Sequence, residues 1–130
     1  MEKWIHTDPD CCQYIRPLNA ENTQFEGYQI VAMDDDETSF SVVHSYVDLE
    51  DYDLNSREFY QDYLMPYCYD SLSHVYRVYG ERFQQILAEL IMETELYEQP
   101  KVWHGTYESC KLYISTAIKL DALAPGRPMV

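Results

Sequence analysis

Between Asp34 and Asp62 the chain carries ten carboxylates, Asp34, Asp35, Asp36, Glu37, Asp48, Glu50, Asp51, Asp53, Glu58 and Asp62, against one base, Arg57. That is a segment net of −9 in a chain whose formal charge is −14. Tyr52, Tyr60 and Tyr63 are interleaved with the acids. Arg and Lys clamps that hold phosphate oxygens grip carboxylate oxygens with similar geometry, and Tyr brings wide amphipathic contact at low entropic cost. Acids on an ordered frame, with Tyr52 and Tyr60 as aromatic anchors, are therefore expected to compete for a surface built for nucleic acid. The plain alternative is that turns and helix starts favour Asp and Glu through turn chemistry and the helix dipole.

Other chemistries fit less well. Asp51, Asp53 and Asn55 occupy the first, third and fifth places of an EF-hand-like loop, but Ser56 stands where Gly is needed and Asp62 replaces the bidentate Glu. His6, Cys11 and Cys12, or Cys68 with His74, lack zinc-site spacing. Cys68 or Cys110 could be combined with His44, His74 or His104 as nucleophile and base, yet a reactive thiolate needs an electropositive setting that this chain is poor in. Nucleophile-elbow, phosphate-loop and dinucleotide motifs are absent, and four Gly leave little material for one. The expectation is no enzyme, no metal and no cofactor.

A body this acidic repels polyanions, so direct binding to nucleic acid or to an anionic membrane surface is not expected. The same field speeds encounter with a basic protein. Two of the four Cys are adjacent and the other two lie in helical patterns, with Cys68 and Cys110 read as small buried hydrophobes. No signal-peptide pattern and no run of transmembrane length is present, which points to the cytoplasm.

These side chains need elements to position them. The clearest periodic stretch is Glu81 to Gln99, where Phe83, Ile86, Leu87, Leu90, Thr94 and Tyr97 recur at helical steps, bounded by Gly80 and Pro100. A helix over 81–98 is expected there. Runs rich in β-branched and aromatic residues at 28–33 and 38–47 predict a hairpin over about 27–47, joined by the polar turn Asp34 to Glu37. Within the second strand, the face carrying Phe40, Val42, His44 and Tyr46 reads as the core side. Trp4 and Ile5 suggest a third, N-terminal edge strand, and Tyr14, Ile15 and Leu18 are expected to pack on the domain. Asn55 followed by Glu58 resembles a capping box opening a helix over 56–65. Pro66 is expected to start a second over 66–79, and Thr106 to cap a last one over 106–120, buried along Tyr107, Cys110, Ile114, Ala117 and Ile118.

The fold class is thus α+β, a small antiparallel sheet with about four helices packed on one face, as a single domain over 1–124 with a loose tail at 125–130. The expected function is an acidic protein-binding inhibitor: a DNA mimic of the anti-defence kind, anti-CRISPR or anti-restriction, that occupies the basic nucleic-acid-binding surface of another protein. Competing readings are a small regulatory or ligand-binding module, acidic for solubility, and a homodimer paired through helices bearing Tyr60, Tyr63, Tyr67, Tyr69, Tyr76 and Tyr79.

Overall fold

The computed structural model describes residues 4–8, 13–33 and 38–123. The chain is α+β. Five antiparallel strands lie in sequence order across one sheet: β1 (Ile5–Asp8), β2 (Gln13–Pro17), β3 (Gln24–Ala32), β4 (Phe40–Asp48) and β5 (Lys101–Gly105). The expected hairpin is the centre of it, paired from Gln24 opposite Asp48 to Ala32 opposite Phe40. The N-terminal region adds two strands, and the stretch around Trp103, read from sequence as a connection, is a strand beside β4. Its Val-Trp pair has the β-favouring character that such pairing uses. A five-residue run between two helices shows too little alternation to reveal itself.

Helices cover both faces of the sheet, not one. On one face, Ile15, Phe25 and Val47 pack with Leu49 against Ile86, Leu87, Leu90 and Ile91 of α3 (Phe83–Thr94). On the other, Tyr28, Ile30 and Val42 pack against Cys110 and Ile114 of α4 (Tyr107–Leu123), the stripe expected from sequence. A strand covered on both sides must bury both of its alternating sets. Accordingly Ser41, Val43, Ser45 and Val47 of β4 are all buried, while Tyr46, assigned from sequence to the core side, is 53 % exposed. The core side under α3 is therefore the set that includes two Ser. Small side chains let a helix approach the strand, and Gly27 in β3 goes furthest: a Cβ there would stand 2.7 Å from Met92 Sδ of α3.

The helices between β4 and α3 are short and irregular. Ser56, not Asn55, caps the single turn α1 (Arg57–Phe59), its hydroxyl accepting from Phe59 N–H at 3.1 Å. A π-helical turn (Tyr60–Leu64) follows. Pro66 lies in a 3-10 turn (Met65–Tyr67) that ends at Cys68 with φ 68°, so no helix starts there. Cys68 is exposed at that turn, contrary to its reading as a buried hydrophobe. The helix begins only at Leu72, as α2 (Leu72–Tyr79), capped by Ser71 and closed by Gly80 at φ 61°. α3 ends at Thr94, and the 3-10 turn Leu96–Glu98 changes the pitch. This puts Leu96 in the core and leaves Tyr97, expected inside, 72 % exposed. Thr106 caps α4 as expected, accepting from Ser109 N–H at 3.1 Å.

Candidate protein-binding surface

The acidic stretch after β4 is held on rigid backbone. Asp48 ends β4 and accepts from Glu50 N–H at 3.0 Å, starting a 3-10 turn over Leu49–Asp51 whose Leu49 is buried. That turn, the Ser56 cap and α1 fix the direction of everything between. Glu50, Asp51, Asp53, Glu58 and Asp62 are exposed. Among the described residues none of these five is in an ion pair. Asp48 is half-buried and also accepts from Gln24 Nε2 at 3.2 Å. Asp34, Asp35, Asp36 and Glu37 lie outside the described residues, as do Cys11 and Cys12.

Tyr52 and Tyr63 tie this stretch to the end of α3. Both hydroxyls donate to the Glu95 carboxylate, Tyr52 at 3.0 Å. Their rings meet edge to face at 5.6 Å, and Tyr52 also abuts Phe59. Burial, then Glu95's hydrogen bond and negative charge, push the Tyr52 phenol up to about 12 and raise Tyr63 in the same way. Both therefore stay neutral donors at physiological pH. Tyr52 is thus committed inward through its hydroxyl, with only part of its ring outward, and Tyr60 is likewise half-buried against the core.

The fold brings Glu95 and Glu98 to Asp62. Asp62 shares an open hollow of about 590 Å³ with Glu95 and Glu98, beside Tyr63. The periodicity of 81–98 did not single out Glu95 and Glu98 as contact residues. The available signal was the run Glu93, Glu95, Glu98 next to Pro100, where a helix must stop. On the other side of Tyr52 a smaller hollow of about 350 Å³ is walled by Leu49, Leu54 and Phe83, with Glu50 and Asp53 at its margin. A third hollow, of about 410 Å³, lies beyond Asn55 and includes Arg57 and Asp70. The acidic surface therefore runs from Glu50 and Asp53, past Tyr52 and Tyr63, to Asp62, Glu95 and Glu98.

Among the described residues, no three His, Cys, Asp or Glu side chains converge as metal ligands. Each described His side chain has a structural partner: His44 bonds Glu26 at 2.6 Å, His74 accepts from Asp70 N–H at 3.0 Å, and His104 lies 2.7 Å from the buried Ser41 hydroxyl. The buried Cys110 thiol is pushed up by loss of water, away from reactivity.

A second charged group, also missed by sequence reasoning, lies inside the sheet. Glu26, 4 % exposed near the start of β3, accepts from Arg16 Nε at 2.9 Å and is bonded by His44. Burial raises its pKa, but the His44 hydrogen bond and the Arg16 charge outweigh this and hold the carboxyl below its ordinary value. Tyr28 stacks on His44 at 4.3 Å, and the Arg16 guanidinium lies 4.7 Å over the Trp4 ring. With its partners present, this cluster is structural.

No protein-family model, no curated protein and no solved structure matches the chain. Among the described residues, no helix is long and apolar enough to cross a membrane.

Proposed function

We propose that the protein acts by stoichiometric binding, without catalysis, to the basic nucleic-acid-binding surface of another protein, as a cytoplasmic inhibitor of the anti-CRISPR or anti-restriction kind. The observation that carries this is the set of five exposed carboxylates, Glu50, Asp51, Asp53, Glu58 and Asp62, in no ion pair among the described residues, on a frame continuous with Glu95 and Glu98. Charges kept only for solubility need no common frame. Charges that replace phosphates do, because a basic cleft preorganised for a nucleic-acid backbone rewards fixed spacing. Asp48 belongs to the same proposed surface, with Tyr52 and Tyr60 supplying ring area at its centre; Asp34, Asp35, Asp36 and Glu37, expected from sequence to take part, are kept as contact residues of the proposal.

The test is a pull-down of the tagged chain from host lysate at low salt, with and without nuclease, identified by mass spectrometry. Recovery of one nucleic-acid-handling protein, released by added DNA or RNA and by salt, is the expected result. Recovery that requires intact nucleic acid, or full-strength binding after Glu50, Asp51, Asp53, Glu58 and Asp62 are changed to their amides, overturns it.

A further inference from the structure

The hollow between the 3-10 turn after β4 and the start of α3 differs in kind from the rest of the acidic surface. Its lining sets the apolar faces of Leu49, Leu54, Tyr52 and Phe83 beside the polar Thr23, Asn55 and Gln84, and the exposed acids Glu50 and Asp53 complete it. Both aromatic walls are fixed. Phe83 meets Tyr76 edge to face at 5.2 Å, and Tyr52 is held by Phe59, Tyr63 and its bond to Glu95. At about 350 Å³ it is at the small end of the range for ligand pockets, with room for one long side chain. A slot with apolar and aromatic faces, polar neighbours and two carboxylates rejects anions and gives neutral apolar groups no use for its charge. It suits a long aliphatic stem ending in a cation.

We propose that this slot receives an arginine side chain of the basic partner. Arginine is preferred to lysine because a guanidinium is planar, stacks on aromatic faces and is weakly hydrated, so it loses less on entering an apolar slot. Its stem lies along Leu49 and Leu54, its plane against Phe83 or Tyr52, and its N–H groups donate to Glu50 and Asp53. The role in partner binding rests on the function proposed above; the chemistry of the slot does not.

The experiment titrates N-acetyl-arginine amide into the isotope-labelled full chain and follows backbone amide shifts. Saturable shifts confined to Leu49, Tyr52, Phe83 and Gln84 are expected. N-acetyl-citrulline amide, which lacks the charge, should give none, and the lysine analogue should bind more weakly. Asp53→Asn should weaken the arginine probe about fivefold or less, the size of one exposed charge pair; Glu58→Gln, outside the slot, should not. Phe83→Leu, checked for an intact spectrum, should weaken it by a similar factor. Shifts spread evenly over the acidic surface without saturation, or equal binding of the citrulline or lysine probe, overturn the proposal. A saturable slot in a protein that captures no basic partner overturns the functional reading alone. A captured partner whose affinity ignores Phe83→Leu and Asp53→Asn overturns the slot alone.

Discussion

Glu26 shows how a charged side chain can be held in the core. A carboxylate at 4 % exposure is tolerated because Arg16 and His44 both reach it, and removing one partner from a buried pair leaves the other charge uncompensated. Glu26→Gln is therefore expected to destabilise the fold by about 3 kcal/mol in urea unfolding. Because the folded-state pKa is depressed, the Glu26 contribution is full above the ordinary carboxylate range and is lost as pH falls through the folded value. The acid limb of a stability–pH curve should flatten in Glu26→Gln. Tyr52 behaves with the opposite sign. Its phenol is raised from an ordinary value near 10 to about 12, so its contribution is intact below pH 10 and is lost as pH rises toward 12. Tyr52→Phe should reduce alkaline destabilisation between those limits, measured by denaturant unfolding at a series of pH values, while costing the hydrogen bond to Glu95 at neutral pH.

At the scale of elements, α3 is the beam of the structure, with Ile86, Leu87, Ala88, Leu90, Ile91 and Met92 all buried between the sheet and the turns around Phe59 and Leu64. Its approach to β3 depends on Gly27, where a methyl would press on Met92 and come within 3.3 Å of the Tyr14 carbonyl. Gly27→Ala should cost about 1–3 kcal/mol, as overpacking does. Met92→Ala in that background should restore part of the loss, seen as non-additivity in a double-mutant cycle. The elements legible in the sequence were those with their own period or cap: the β3–β4 hairpin, α3 and α4. Those missed, β5 and the broken turns around Pro66, are set by partners distant in sequence. Lys101 pairs with Val43, and Cys68 takes its left-handed turn where the 3-10 segment ends.

For the whole molecule, a formal −14 on 130 residues sets self-repulsion against folding. Raising salt from about 0.01 M to about 0.15 M shortens the Debye length from about 30 Å to about 8 Å, so the melting temperature should rise over that range. Changing Asp51, Asp53, Glu58 and Asp62 to their amides should leave the fold at least as stable, since these side chains are exposed and in no ion pair among the described residues. The same variant should weaken capture of a basic partner and flatten its salt dependence, as measured by binding at several salt concentrations.

The sequence by itself determined the α+β class, the central hairpin, the two long helices and the charge, because hydrophobic period, caps and composition are local properties. It also pointed to the stretch from Asp48 to Asp62, since clustered acids are visible without a fold. Only the tertiary structure decided that helices cover both faces of the sheet, which buries Ser41 and Ser45 as well as Val42, and that Tyr46 stays exposed. Only it joined Asp62 to Glu95 and Glu98, set Phe83 beside Glu50 and Asp53, and enclosed Glu26 between Arg16 and His44. These are contacts between residues far apart in the chain, and register and packing, not local propensity, bring them together.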